Sequence, residues 1–564
     1  MHLGLCVLKI YFTNPIKIGG LMMKSRMLKT LVIAVCCSAT IALSACGSGG
    51  GASSSSKKAT SSAKKVINVG IMNAPSGFNA IDSSDVAQND MTQILFKPLV
   101  EMDSSCKFVP SLADSIETTD NKIFTVKLNK KAKWTDGKPV TADDTMFTLG
   151  LITNPKVAST IASKFNLLAG LNDAGKNTNG TDSFEGAKKV DDHTIQLVTK
   201  DHVDKTVFED LIGQYLKTVP QHMLKDVPVD QVFKATFFQN PTVTDGQFKL
   251  VTYKKDQYVQ MAANKDYFRG APKLTQLNFK IMQGTEITVQ LQSGEIDMND
   301  PQIGLIPNDD VDKVKTMKNV KVETDKVSSG VQTLQINVKT VPDAKVRRAI
   351  SYAINRKQII KNLLKGAGEE YIGAYAPSSP FFDKDVDYAS YDPAKAKALL
   401  KEANWDSSKV LKFNVPVGNT AREQAANVIA QNLQDVGVKV QIQKYDFVTS
   451  LALGKKHDFD LYIVGLTADP ANPDISSYIG TGQALDLSGY SNPELDTLLA
   501  QGKTTVDKAK RTEIYNKVQD IYSADSPSPG VYAPLGVGAV NKRVTTGSPK
   551  SFGMYVDIEK WDVQ

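Results

Sequence analysis

Apolar and polar residues alternate along several short stretches of the chain, a pattern that predicts β-strands. Val66–Ile71 is the first such stretch, and Lys122–Asn129 (KIFTVKLN) places Phe124, Val126 and Leu128 on one face. Successive side chains of a strand point to opposite faces, so the second stretch is predicted to be a half-buried antiparallel strand. Further strands are predicted at residues 193–199, 244–250, 258–262, 331–338 and 438–442.

Apolar residues also recur at helical spacing behind capping residues. Asp343 can cap a helix that carries one apolar stripe, and Gly437 stops a helix predicted over residues 425–436. A helix, a glycine and a strand in that order indicate an α/β lobe. The segment Asn166–Gly186 is rich in Gly, Asn and Asp, and we expect an exposed loop there. Other helices are predicted at residues 146–152, 286–297 and 357–364 and after Asp392-Pro393.

The stretch Phe459–Asp474 (FDLYIVGLTADPANPD) passes from an apolar run to a polar loop within a few residues. Leu461–Val464 is predicted to be a strand buried on both faces, and Asp469 follows just beyond it. Loops that leave the carboxyl ends of strands line the ligand crevice in open α/β sheets, so Asp469 is a candidate contact for a small cationic group. Asp-Pro and Asn-Pro pairs are ordinary turn residues, so a turn or helix cap is the alternative role.

The amino-terminal region has the pattern of a secretory signal. Three basic residues between Lys24 and Lys29 precede the apolar run Leu31–Leu43, which is too short to span a bilayer. Leu43-Ser44-Ala45-Cys46 resembles the lipobox that lipoprotein signal peptidase cleaves, so Cys46 is predicted to become a diacylated amino terminus. An ordinary signal peptide with a chance cysteine is the alternative. The true start is expected at Met22 or Met23, because the residues before them add nothing that a signal needs.

Beyond Cys46, the segment from residue 47 to 65 contains no large apolar residue and is predicted to be a flexible tether. Removal of residues 1–45 takes away five Lys and Arg residues and no acidic residue, so the net charge of +7 falls to +2. The remaining lysines are interspersed with acidic residues, which argues against a nucleic-acid partner. Cys106 is then the one other cysteine, so neither an intrachain disulfide nor a thiol metal cluster is expected.

Sequence motifs of common enzymes are missing. The chain has no G-x-x-x-x-G-K-[ST] phosphate loop, no G-x-S-x-G nucleophile elbow and no H-E-x-x-H zinc helix. The histidines at 193, 202, 222 and 457 lack ligand spacing, so no metal or cofactor is predicted. We therefore predict that the protein is not an enzyme. A carboxylate pair for glycosidase chemistry needs no local spacing, so a surface hydrolase stays open as an alternative.

Several motifs together carry a resemblance to a known family. They are WTDGKPVTADD at 134–144, NKDYF at 264–268, SGEID at 293–297, VRRAI at 346–350 with Asn355-Arg356, YDP at 391–393 and the stretch Phe459–Asp474. In their order along the chain these motifs resemble the extracellular solute-binding proteins of ABC importers of the oligopeptide and dipeptide type, solute-binding family 5, over nearly all of the mature chain.

The resemblance implies an α/β, periplasmic-binding-protein-like fold. Its two lobes are joined by crossing strands, and an extra domain is inserted in the first lobe. The implied divisions are a signal peptide at 1–45, a lipidated cysteine and tether at 46–65, first-lobe parts at 66–105, 218–325 and 531–564, the extra domain at 106–217, and the second lobe at 326–530.

The resemblance also implies a function. The expected protein is a monomer, lipid-anchored on the outer face of the cell membrane, or periplasmic if a second membrane is present. It captures oligopeptides between its lobes and delivers them to a separate permease and ATPase of an ABC importer. A metal chelate, a sugar or a signalling peptide is the alternative cargo.

Four residues are implied to contact the ligand. Asp469 would pair with the peptide's α-ammonium, the backbone at Gly465 and Thr467 would extend the peptide as an added strand, and Val86 would supply a facing contact from the first lobe. Leu466 stands where many members of the family have Trp, which leaves the pocket shape and peptide length open. Asn355 stands where many have Asp, but it can still cap its helix.

Overall fold

The computed structural model describes residues 64–83, 85–179, 183–467, 470–483 and 485–564. Cys46 and Asp469 lie outside the described residues, as do the predicted signal peptide and nearly all of the tether. The strands of the described part are, in chain order, β1 (Val66–Ile71), β2 (Val100–Met102), β3 (Phe108–Pro110), β4 (Ala113–Glu117), β5 (Ile123–Leu128), β6 (Ala187–Asp191), β7 (Thr194–Val198), β8 (Phe248–Lys254), β9 (Tyr258–Ala263), β10 (Gln276–Ile281), β11 (Met298–Asn299), β12 (Val320–Thr324), β13 (Gly330–Ile336), β14 (Gly368–Glu369), β15 (Val410–Pro416), β16 (Lys439–Tyr445), β17 (Leu461–Thr467), β18 (Gly530–Pro534), β19 (Val537–Asn541), β20 (Val544–Thr546) and β21 (Asp562–Val563).

The α-helices surround these strands, and several begin at the capping residues that the sequence suggests. Asp343 and Asn355 each accept a backbone N–H at the start of their helix, as predicted. The helices are α1 (Val86–Leu95), α2 (Ala142–Thr153), α3 (Lys205–Phe208), α4 (Gln221–Leu224), α5 (Gly284–Ser293), α6 (Val311–Lys315), α7 (Ala344–Ala353), α8 (Arg356–Leu363), α9 (Pro393–Glu402), α10 (Thr420–Asp435), α11 (Phe447–Lys455), α12 (Ser476–Ile479), α13 (Pro493–Thr504) and α14 (Lys508–Asp525).

The first large sheet has seven strands in the order β12-β19-β11-β1-β10-β9-β8. The predicted strand β1 lies at its centre, parallel to both β10 and β11. Ile67, Val69 and Ile71 are fully buried in one core cluster. On the other side, Ile287 and Leu291 of α5 belong to a separate buried cluster. The sheet is therefore covered on both faces.

The second large sheet has six strands in the order β14-β18-β13-β17-β15-β16. Strand β17 pairs antiparallel with β13 from Gly330 opposite Thr467 to Ile336 opposite Leu461. All four residues of Leu461–Val464 are buried, which confirms the predicted strand. The strand continues through Gly465 to Thr467, beyond the apolar run that predicts it.

The chain passes between these two sheets twice. Residues 325–329 connect β12 to β13, and residues 535–536 connect β18 back to β19. We call the part built on the seven-stranded sheet, with the smaller sheet described next, the first lobe, and the part built on the six-stranded sheet the second lobe. The residue numbers predicted for the domain boundaries stay predictions.

A four-stranded antiparallel sheet in the order β4-β5-β7-β6 lies within the segment predicted as the extra domain. Phe124, Val126 and Leu128 of β5 are buried, as the alternation predicts. Thr141 and Asp144 form a capping box at the start of α2. The turn before it closes with a hydrogen bond from the Gly137 N–H, and Gly137 has a φ of 90°.

The prediction of an exposed loop at Asn166–Gly186 is wrong for its apolar members. Leu168, Leu171 and Phe184 are buried. The Lys176 ammonium donates to three backbone carbonyl oxygens around the carboxyl end of α2, at 2.8 to 3.2 Å. The segment folds back on the domain because burial of its few apolar side chains is favourable, while its polar turn residues can stay at the surface.

Candidate ligand-binding cavity

A cavity of about 890 Å³ lies between the two lobes. Its first-lobe wall comes from the start of α1, the turn at residues 210–215, the loop after β11 and the segment 550–555. Its second-lobe wall comes from the end of β17 and the segment that follows it into α12. A molecule in this cavity would contact both lobes at once.

Two of the predicted ligand contacts line this cavity, one from each lobe. Val86 is the first residue of α1 and is 45% exposed. Thr467 is the last residue of β17, and its carbonyl oxygen accepts a hydrogen bond from the Tyr478 hydroxyl at 3.2 Å. The structure thus brings Val86 and Thr467 to the same space, although they are far apart in the sequence.

Gly465 and Asp469 are placed differently. Gly465 is not among the described residues that line the cavity, and a Cβ added there would lie 2.6 Å from Nε2 of Gln332. Asp469 is outside the described residues, but the described residues on either side of it, Thr467 and Pro470, both line the cavity. The ligand-binding roles of all four predicted residues stay predictions.

Carboxylates outnumber cations among the described residues that line the cavity. Of the two lysines, Lys164 has its ammonium 4.8 Å from the ring centroid of Tyr215, and Lys550 pairs with Glu323 at 2.7 Å. The charge of Lys550 is therefore already offset, and the cavity favours a cationic group. The lining carboxylates are Asp85, Asp90, Asp210, Asp300 and Asp474.

Asp300 and Asp90, on the first-lobe wall, both have raised pKa values. Asp300 is buried and accepts hydrogen bonds from the Tyr555 hydroxyl at 2.6 Å and the Gln302 N–H at 2.8 Å. Burial raises the pKa of Asp300. Burial and the nearby Asp300 raise the pKa of Asp90 well above its ordinary value, while Lys217 lowers it. Burial lowers the pKa of Lys217 to about 7, so near neutral pH this lysine carries only part of a positive charge. A cationic group of a ligand would therefore stabilise the ionised form of Asp90 and Asp300.

Polar contacts also join the two lobes directly. Nδ2 of Asn472 donates to Oδ2 of Asp210 at 3.5 Å. Nη1 of Arg511 in α14 lies 3.3 Å from Oδ1 of Asp204, which caps α3. Each contact joins a second-lobe residue to a first-lobe residue, so it can form only when the two lobes are close together.

Several cavity residues were not predicted from the sequence, notably Asp90, Asp300 and Tyr555. They come from three distant segments, and no local pattern marks them as neighbours. The one available signal is Gly553 in the segment 550–555. Its φ is 63°, and a Cβ added there would lie 2.5 Å from the Asp103 carbonyl carbon, so the backbone fits closely at this point.

Comparison with known families decides what kind of protein this is. The model of the bacterial extracellular solute-binding proteins, family 5 Middle, matches residues 107–484. The chain belongs to family 5 of the bacterial extracellular solute-binding proteins. The resemblance drawn from the sequence motifs is therefore confirmed.

This family 5 protein is 27% identical over 566 residues to the oligopeptide-binding protein AppA of Bacillus subtilis (strain 168), across 96% of this chain and 99% of the relative. It is 26% identical over 489 residues to the dipeptide-binding protein of Escherichia coli (strain K12), across 81% and 86%. The structure of AppA from Bacillus subtilis in complex with a nonapeptide matches with a TM-score of 0.70 and 25% identity, across 89% of this chain and 99% of that chain. The predicted two-lobed α/β fold is confirmed.

Two further findings concern the described part of this family 5 protein. None of its helices there has both the length and the hydropathy needed to cross a membrane. Nor does that part bring together three or more His, Cys, Asp or Glu side chains in an arrangement that could hold a metal ion.

Proposed function

We propose that this protein is a lipid-anchored extracellular receptor that captures oligopeptides between its two lobes and delivers them to an ABC importer. The observation that carries the proposal is the cavity of about 890 Å³ lined by both lobes. The relationship to AppA, whose structure holds a nonapeptide, supports a peptide as the ligand. Transport then requires a separate permease and ATPase, because the chain has no phosphate loop.

The peptide would lie along the end of β17. Asp469 would pair with the α-ammonium, the backbone at Gly465 and Thr467 would extend the peptide as an added strand, and Val86 would contact it from the first lobe. The excess of carboxylates around the cavity supports a cationic end of the ligand there. Contacts from both lobes would favour the closed arrangement, which the permease would recognise.

The anchor would be a diacylglycerol on Cys46, followed by the tether up to residue 65. The support is the order of basic residues, apolar run, small residues and cysteine at the start of the chain. Such an anchor would hold the monomeric receptor on the outer face of the cell membrane, close to its permease.

Equilibrium dialysis of the mature chain against a mixed peptide library, followed by mass spectrometry, tests the proposal. We expect intact peptides to be retained, and fewer of them by Asp469→Ala. Asp458→Ala is the matched control, because Asp458 is an exposed aspartate in the same lobe that pairs with Lys412. Retention of no peptide would indicate another cargo, and recovery of shortened peptides would indicate a hydrolase.

A further inference from the structure

A smaller cavity of about 60 Å³, which we call the side pocket, lies in the second lobe next to the main cavity. Thr467, Pro470 and Tyr478 line both cavities, so the side pocket opens where the main cavity meets the end of β17. Its own lining includes Val331, Leu466, Tyr371, Tyr375, Ala376 and Ile479.

The hydroxyl groups around the side pocket are already hydrogen-bonded within the protein. The Tyr371 hydroxyl donates to the carbonyl of Ala374 at 2.9 Å, and the Tyr375 hydroxyl donates to the carbonyl of Pro473. The Thr333 hydroxyl donates to the carbonyl of Val464 at 3.3 Å. A polar group that entered the side pocket would lose its water without gaining these partners, which is unfavourable.

Four serines also line the side pocket, namely Ser328, Ser378, Ser379 and Ser528. The Ser328 hydroxyl donates to the Gly330 carbonyl, and the Ser378 hydroxyl donates to Glu369. Most of the other lining is apolar: Val331, Ala376 and Tyr371 form a buried cluster against which Leu466 packs, and Tyr375 is buried as well. A single water needs roughly 10–15 Å³ of such space, so the side pocket has room for a group of about four non-hydrogen atoms. A leucine or isoleucine side chain has that size, and its burial is favourable.

We propose that the side pocket binds an aliphatic side chain close to the amino end of the peptide and so selects peptides that carry one there. This inference rests on the proposed function. The amino end is the relevant part because Asp469, the predicted partner of the α-ammonium, stands in the sequence between Thr467 and Pro470, which line both the side pocket and the main cavity. The side pocket is therefore within reach of the first residues of a peptide held in this way.

Calorimetric titration of the mature chain with alanine-based peptides tests this selection. The peptides differ only at one of the first two positions, which carries Ala, Leu, Trp or Asp. We expect Leu to bind at least about tenfold more tightly than Ala at one of the two positions, because three buried carbon atoms are added. Asp at that position should bind more weakly than Ala.

Variants of Leu466 locate the effect. Leu466→Trp should remove the preference for Leu over Ala, because the larger side chain fills the side pocket. Leu466→Ala should enlarge the pocket and raise the relative affinity for Trp. Leu305→Trp, at a 53% exposed leucine of the first lobe, is the matched control. Thermal unfolding of each variant shows whether it is folded. If Leu466→Trp does not fold, Ala376→Leu replaces it, because Ala376 also lines the side pocket and a larger side chain there narrows it.

The outcomes separate this inference from the proposed function. If none of the peptides binds the wild-type chain, the proposed function fails and the inference falls with it. If the peptides bind with equal affinity whatever the variable residue, or if the preference for Leu survives the filled pocket, the function stands and the side-pocket inference is overturned. A preference lost only in the pocket variants supports it.

Discussion

The two walls of the main cavity are built in different ways. The second-lobe wall is one continuous stretch, from the end of β17 to α12, and Thr467 and Tyr478 lie within it. The first-lobe wall is assembled from distant segments that contribute, among others, Asp90, Asp210 and Tyr555. We call the second-lobe wall the local wall, because the geometry of one strand end places its groups. We call the first-lobe wall the assembled wall, because the position of its groups depends on the packing of the whole lobe.

The largest effect is expected at the local wall. Asp469→Ala should reduce peptide affinity by roughly 3–5 kcal/mol if the pair with the α-ammonium is buried, because the ammonium is left without a partner. Calorimetric titration with one tight-binding peptide and with its amino-acetylated form measures this. The acetylated form should bind wild type and variant alike. Equal affinity of both proteins for the free peptide would show that another group holds the ammonium.

A smaller effect is expected at the assembled wall. Asp90→Asn should weaken binding of a peptide with a basic side chain by roughly 1 kcal/mol and leave its neutral counterpart unchanged. Because the pKa of Asp90 is raised in the free protein, its carboxyl stays protonated over a pH range above its ordinary pKa. In that pH range the carboxyl is neutral, so it attracts the ligand's cationic side chain least.

The affinity of wild type for the basic peptide should therefore rise with pH through the raised pKa of Asp90. In Asp90→Asn this rise should be reduced to the parts due to Asp300 and to Lys217, which loses its positive charge as the pH passes its pKa of about 7. Titrations at a series of pH values with both proteins measure the difference. The same slope in wild type and variant would show that Asp90 does not face the ligand's charge.

The smallest effect is expected for the ion pair that joins the two lobes outside the cavity. Arg511→Gln should weaken peptide binding by up to roughly 1 kcal/mol, because the closed arrangement loses the pair with Asp204 while the ligand loses no contact. Asp204→Asn keeps the cap of α3 and should give the same loss, and the double variant should add nothing further. Lys345→Gln, at an exposed pair within the second lobe, is the control and should leave affinity unchanged. Additive losses would mean that the two side chains act independently.

The sequence predicts the local wall better than the assembled one for a physical reason. Leu461–Val464 and the capped helices α7 and α8 are set by nearest neighbours along the chain, and the structure confirms them. Two predicted boundaries differ from the observed ones. The helix predicted over 425–436 begins at Thr420, because Asn419 caps it, and the strand predicted from Thr244 begins at Phe248.

The electrostatic influence of Asp300 on Asp90 could not be predicted, because the two residues lie far apart in the sequence, in α1 and in the loop after β11. Tyr555 lies 255 residues from the Asp300 that accepts its hydrogen bond. The buried part of Asn166–Gly186 was missed for a related reason, since its composition reflects its turns and says nothing about what its few apolar side chains contact.

Hydrogen exchange measured by mass spectrometry on the mature chain, with and without a tight-binding peptide, tests most directly whether one ligand engages both walls. We predict slower exchange in the peptide-bound protein at α1 and residues 210–215 of the first lobe, together with residues 465–479 of the second lobe. Slower exchange in one lobe alone, or at segments away from the cavity, would contradict capture between the lobes.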